Sequence, residues 1–174
     1  DAALAVATAQ SLVDCGGANG EDLARRYLAL SRADGGEVDQ STWLAMRRLE
    51  RGTPWHEAGD SGRYAAGAEP AARIAAVGLS RVHSREGLPG DVRASVSLTH
   101  RNSEAQAGAL VVATAVACAA SEGFRPTDLA HVLPALPLPP RGHSTICRVL
   151  EARHQAAHVA ATLADLGAGP SAFE

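Results

Sequence analysis

Leu4, Ala7, Ser11, Leu12 and Cys15 recur at helical spacing until Gly16 and Gly17 interrupt them, which predicts a helix already running at residue 1 and ending near Cys15. Asn19, three residues ahead of Asp22, supplies an N-cap for a second helix carrying Leu23, Tyr27, Leu28 and Leu30. Ala33 to Gln40 is Gly-rich and acidic and predicts a loop, after which Ser41 or Thr42 caps a helix over Trp43 to Arg51 that Gly52 ends. Thr53 and Pro54 repeat the start signal, because Pro at the first helical position loses only an N–H that had no partner. Gly59 to Glu69 has no period, and Pro70 opens a helix over Ala71 to Val82 with Ile74, Val77, Gly78 and Val82 on one face. Asp91 to Leu98 fits a helical turn or a short strand, and its Ala-rich neighbours favour helix. Ser103 and Gln106 form a capping box ahead of Leu110, Val111, Val112, Ala115, Val116 and Ala119, with Gly123 as the stop. Thr127 caps a short helix to Leu133, the prolines between Pro134 and Pro140 exclude regular structure, and Ser144 begins a last helix ending near Gly167.

Some seven helices with no period-2 segment predict an all-α fold, a single compact multi-helix bundle over residues 1–174, in which the proline run is a loop and not a domain boundary. Composition narrows the partners. With 46% hydrophobic residues, 20% charged residues and a net charge of -3, the chain is neither disordered nor a polyanion binder, and aromatics at 3% leave few platforms for stacking bases, so nucleic acid is excluded as a partner. All sixteen basic residues are Arg, which fits the codon bias of a GC-rich bacterial genome. Cys15, Cys118 and Cys147 are widely spaced in helical contexts and are expected to be reduced core thiols in a cytoplasm. Ala107 to Ala120 falls short of the roughly 20 apolar residues that span a bilayer, so no membrane is expected. With neither an initiator Met nor a targeting pattern at its start, the chain is expected to be truncated or processed there.

Three candidate chemistries can be weighed from spacing. Glu151, His154 and His158 share one helical face and could bind zinc, but the order is not that of an H-E-x-x-H helix, no further ligand is evident, and an exposed polar stripe is the simpler reading. No G-x-S-x-G elbow is present, and Gly35 and Gly36 lack the Lys and the strand of a P-loop. Thr99, His100, Arg101 and Asn102 lie just ahead of the strongest helix, whose free N–H groups favour anions, so a phosphate-bearing ligand is one reading. The simpler one makes Asn102 or Ser103 a cap and His100 a loop residue.

Longer stretches carry a resemblance. ALAVATAQSL at Ala3–Leu12, STWLAMRRLERGTPWHEAG at Ser41–Gly59, RIAAVGL at Arg73–Leu79 and SVSLTHRNSEAQAGALVVATAVACA at Ser95–Ala119 together resemble the ADP-ribosylglycohydrolase family, in the right order and over nearly the whole chain. The segments correspond to the helix after a Thr-Asp-Asp-Thr metal motif, an arginine-rich helix before the substrate loop, a Gly-Asn-Gly helix, and a Thr-His joint with its Ala-rich helix. The resemblance implies an orthogonal helical bundle that is partial here, because LGAGPSAFE at Leu166–Glu174 resembles the stretch shortly before a second metal motif.

The activity it implies is hydrolysis of the N- or O-glycosidic bond between ADP-ribose and a protein side chain or related acceptor, with an ADP-ribosylated protein or an ADP-ribose-containing small molecule as partner. It also implies two magnesium ions that polarise ribose hydroxyls and activate water. Of their ligands only Asp1 is matched, with Ala2 in place of the closing Thr, and no Asp-x-Asp occurs in the sequence. On the same register His100 and Thr99 contact the ADP-ribose, and Gly67 lets the backbone approach it. Ala68 and Glu69 stand where Gly-Asn-Gly continues, and Asp39 where relatives carry Gly, so negative charge is placed beside an anionic ligand. The chain by itself is therefore expected to be inactive, and a catalytically dead helical module that binds a nucleotide-like ligand or a protein partner is the alternative.

Overall fold

The computed structural model describes the backbone of residues 2–34 and 38–165, and the side chains of residues 2–32 and 38–155. Asp1, Gly35, Gly36 and the expected helix end near Gly167 lie outside the described residues. Ten α-helices carry the described fold: α1 Ala2–Cys15, α2 Gly20–Asp34, α3 Gln40–Glu50, α4 Trp55–Ala58, α5 Glu69–Arg73, α6 Ala75–Ser80, α7 Leu88–Ser97, α8 Ser103–Ala119, α9 Leu129–Val132 and α10 Pro140–Asp165. Single 3-10 turns lie at Arg63–Ala65, Pro126–Asp128 and Leu133–Ala135. No strand occurs among the described residues, so the chain is all-α, and the stretch from Asp91 to Ser97 belongs to a helix that starts at Leu88, with Leu98 as its C-cap.

Local chemistry shifts several boundaries. Asp39, not Ser41 or Thr42, caps α3: one carboxylate oxygen accepts the Thr42 backbone N–H at 2.9 Å and the other accepts the Thr42 hydroxyl. Asn102 caps α8 by accepting the Glu104 N–H at 2.8 Å. Gln106 makes no capping box, because its amide turns instead to the Ser97 hydroxyl at 3.2 Å and the His100 carbonyl at 3.4 Å. The helix expected from Pro70 to Val82 is divided at Ile74 into α5 and α6, where two successive residues, Arg73 and Ile74, are both buried. The last helix begins at Pro140, four residues ahead of Ser144, since the ring fits a first turn. Cys118 is the only one of the three thiols that is buried; Cys15 is exposed and Cys147 half-buried, so the expectation of three core thiols is corrected.

The core has two centres. Ile74, Val77, Leu88, Val92, Val96 and Leu12 close around Ala109, Leu110 and Ala113 of α8, which makes α8 the element that α5, α6 and α7 share. Leu4, Ala7, Leu23, Ala24, Tyr27, Met46 and Leu98 form the second centre, between α1, α2, α3 and the end of α7. Small side chains allow close helix contact: a Cβ placed on Gly78 of α6 would lie 2.4 Å from the Ala113 carbonyl oxygen of α8. No helix among the described residues is long and apolar enough to cross a membrane.

Asp22, on α2, is 8% exposed and accepts from Arg26 Nε at 2.5 Å and from Arg25, while Arg26 also reaches Asp14 of α1 at 2.7 Å. Arg26 foremost holds the Asp22 carboxyl well below the usual carboxylate range. A carboxyl whose folded pKa is depressed contributes stability that is present above its unfolded value, about 3.9, and lost as pH falls through the folded one. Asp22→Asn is therefore expected to lower the unfolding midpoint at neutral pH and to flatten the loss of stability below about pH 4. Urea unfolding of both proteins across pH 2 to 7 measures this, and parallel curves would show that the carboxylate contributes nothing.

Candidate functional site: a carboxylate-walled cavity over His100

The joint between α7 and α8 is held from the side by the loop that follows α4. The Asp60 N–H donates to the Thr99 carbonyl at 2.9 Å and the Arg101 N–H to the Asp60 carbonyl at 2.7 Å, an isolated parallel bridge between Asp60 and His100. Only glycine fits at position 59, because a Cβ there would lie 2.2 Å from the Ser97 carbonyl oxygen and 3.0 Å from the His100 nitrogen. Arg48 of α3 donates to the Ala58 carbonyl at 2.9 Å and anchors the start of the loop. Beyond the bridge, the Gly62 N–H donates to Asp60 Oδ1 at 3.0 Å and Asn102 Nδ2 to the Gly62 carbonyl at 3.1 Å.

His100 is held by this frame and is 1% exposed. It lies in the joint outside the helices with Asn102 as the cap, as the simpler reading of the sequence has it, but its side chain is buried. Its Nδ1 is 2.9 Å from Thr99 Oγ1, an oxygen that also accepts from Arg73 Nη2. Its Nε2 points the other way, 3.5 Å from Asp39 Oδ1 and 3.9 Å from Glu69 Oε2. Burial pushes the imidazole below its ordinary range and the Arg73 guanidinium adds to this, against the pull of Asp39, Glu69 and Asp60. The balance favours the uncharged form of the ring.

A cavity of about 280 Å³ opens above Nε2, walled by Asp39, Gln40 and Ser41 from the start of α3, Asp60 and Tyr64 from the loop, and Gly67 and Glu69 from the start of α5. The Glu69 carboxylate lies over Gly67, where a Cβ would meet Oε2 at 1.9 Å. That oxygen is buried without a hydrogen-bond partner, as is Nη1 of Arg73. Larger cavities, of about 330 Å³ beside Pro137–Pro139 and about 450 Å³ between α8 and α10, have mainly aliphatic or small-residue walls. The cavity over His100 is smaller but holds the titratable cluster, and chemistry outweighs size here.

Of the residues singled out from the sequence, His100 and Gly67 meet in this cavity. Thr99 is fully buried behind the ring, where its hydroxyl orients Nδ1. Asp1 lies outside the described residues. Glu151 and His154 are exposed on α10, and the side chain of His158 lies outside the described ones. Asp39 and Glu69 were legible only as departures from a pattern, and Asp60 and Arg73 were missed. Asp60 ahead of Ser61 and Gly62 is an Asx-turn signal that could have marked the loop. Nothing local marks Arg73, whose partner Thr99 is 26 residues away.

A family model described as ADP-ribosylglycohydrolase matches residues 1–173. No curated protein and no solved structure matches the chain.

Proposed function

The chain belongs to the ADP-ribosylglycohydrolase family, and on that footing we propose that the cavity over His100 receives the distal ribose of ADP-ribose, joined through an N- or O-glycosidic bond to a protein side chain or related acceptor. The observation that supports this is a buried imidazole whose Nε2 faces a cavity bounded by three carboxylates, Asp39, Asp60 and Glu69. Carboxylates accept hydrogen bonds from vicinal ribose hydroxyls. Cleavage of a glycosidic bond develops positive charge at the anomeric carbon, which fixed carboxylates stabilise. About 280 Å³ suits one sugar ring, and the negative walls keep the diphosphate outside.

Magnesium, which the family resemblance implies, prefers an octahedron of oxygens. Asp1 lies outside the described residues, no Asp-x-Asp occurs in the sequence, and the cluster at the cavity contains a nitrogen donor. The described residues therefore do not fit a magnesium pair, and no step is derived through one; the chain by itself is proposed to bind without turnover. The alternative of a catalytically dead binding module draws support from Glu69, whose carboxylate covers the backbone at Gly67.

Calorimetric titration tests the reading with ADP-ribose and, as a control lacking the distal ribose, ADP. ADP-ribose is expected to bind weakly and ADP more weakly still. His100→Ala is expected to cost about 1–2 kcal/mol of that binding, as for a lost hydrogen bond to a polar ligand group. It is also expected to cost about 1–3 kcal/mol of stability, because a buried side chain and its bond to Thr99 are lost. Equal affinity for ADP and ADP-ribose, or unchanged affinity in a folded variant, would sink the proposal. Release of ADP-ribose from an ADP-ribosylated arginine peptide would overturn the expectation of binding without turnover and favour a competent hydrolase over the dead module.

A further inference from the structure

We propose that Asp39, Glu69 and His100 form a binding site for one divalent transition-metal ion of the zinc class, separate from any magnesium pair. Each of the three offers a ligand atom within 4.8 Å of the other two. The 3.5 Å between His100 Nε2 and Asp39 Oδ1 already matches the edge of a zinc tetrahedron, about 3.4 Å for bonds of roughly 2.1 Å. Glu69 Oε2, at 3.9 Å from Nε2, needs only a small adjustment of a half-buried side chain.

Two further observations call for a cation. Glu69 Oε2 is buried and accepts no hydrogen bond, an arrangement that costs free energy unless a donor or a positive charge faces it. No ion pair links Arg73 to Asp39 or Glu69 among the described residues, although Arg73 lies beside the ring. His100 is also presented as a ligand. With Nδ1–H donating to Thr99 Oγ1, and that hydroxyl donating in turn to the Val96 carbonyl at 3.5 Å, Nε2 is left with its lone pair toward the cavity. A partner that fixes the tautomer from behind is what metal-bound histidines have.

The donor set determines the ion. One imidazole nitrogen with two carboxylate oxygens suits Zn²⁺, Co²⁺ or Mn²⁺ better than the all-oxygen octahedron of magnesium. Three protein ligands leave a coordination position open to the cavity. The inference stands on this cluster and does not depend on the ADP-ribose reading; metal binding without ADP-ribose binding would uphold the first and overturn the second.

Titration of the chelator-treated, thiol-reduced chain with Co²⁺, followed by its visible absorption and by calorimetry, tests the site. One equivalent is expected to bind saturably, without the near-ultraviolet band of a thiolate complex, and excess Mg²⁺ is expected not to displace it. Asp39→Asn, which keeps a good helix cap, and Glu69→Gln, which keeps the shape, are each expected to weaken Co²⁺ binding at least tenfold while circular dichroism stays unchanged. Absent binding or displacement by Mg²⁺ would overturn the proposal; so would affinity equal to wild type in either folded variant or a thiolate band, since the other six histidines or the cysteines would then account for the uptake.

Discussion

Gly78→Ala is expected to lower the unfolding free energy by about 1–3 kcal/mol, the usual cost of forcing extra volume into a packed core. The added methyl carbon would lie 2.4 Å from the Ala113 carbonyl oxygen and 3.0 Å from Val116 Cβ, so α6 must move away from α8 or the methyl must overlap a backbone atom. Backbone cannot swing aside as a side-chain tip can. The same substitution at Gly108 of α8 should act in the opposite direction: nothing lies within 4 Å of its Cβ position, and Ala in a helix interior is favoured over Gly by about 0.5–1 kcal/mol. Thermal unfolding separates the two, at roughly 2–4 °C per kcal/mol for a chain of this size. A Gly78→Ala protein that melts at or above the wild-type temperature would contradict the close packing of α6 on α8.

Ile74→Ala is expected to have the largest effect of any single aliphatic truncation at the α5–α6 junction, about 2–5 kcal/mol from lost burial and the cavity left behind. Ile74 is 1% exposed and lies in the cluster around Ala109, Leu110 and Ala113. Its neighbours cannot collapse into the space easily, because Arg73 on one side is committed to Thr99 and Gly78 on the other is already against α8. Urea denaturation with an unchanged slope would assign the loss to the native state. A loss below about 1 kcal/mol would mean that the junction relaxes freely. Because Arg73 and His100 share the Thr99 hydroxyl, the same substitution also probes whether disturbance at the junction reaches the cavity.

Helix content was legible in the sequence wherever apolar spacing and stop residues coincided. Gly16 and Gly52 follow the ends of α1 and α3 in the left-handed conformation, with φ of 69° and 86°, as their positions predict, whereas α8 ends at Ala119, four residues before the expected stop at Gly123. Caps were less legible, because Asp39 and Asn102 each lie one residue or more before the hydroxyl residues that compete with them in the sequence pattern. The break at Ile74 was not legible at all: continuous apolar spacing from Ile74 to Val82 gives no sign that Arg73 is drawn toward Thr99. At the site, His100 could be found because it stands in a short joint before a long helix, whereas its surroundings come from residues 39, 60 and 69 and from residue 73 through the shared Thr99 hydroxyl, none adjacent to it in sequence. Spacing along one helix cannot report a cluster assembled from four elements.

The Asp60–His100 bridge has a consequence for the order in which the molecule assembles. It joins positions some 40 residues apart, and closing a loop of that length costs about 3 kcal/mol of chain entropy beyond a constant. Helices such as α1, α2 and α8 gain hydrogen bonds within a few residues and can form before that closure. The walls over His100 come from residues 39–41, 60–69 and 100, so they meet only when the closure is complete. A collapsed state with its helices formed and this joint still open would give the full helical circular dichroism signal and have no cavity, which makes Co²⁺ or ADP-ribose uptake a report on late tertiary assembly that the far-ultraviolet spectrum does not provide.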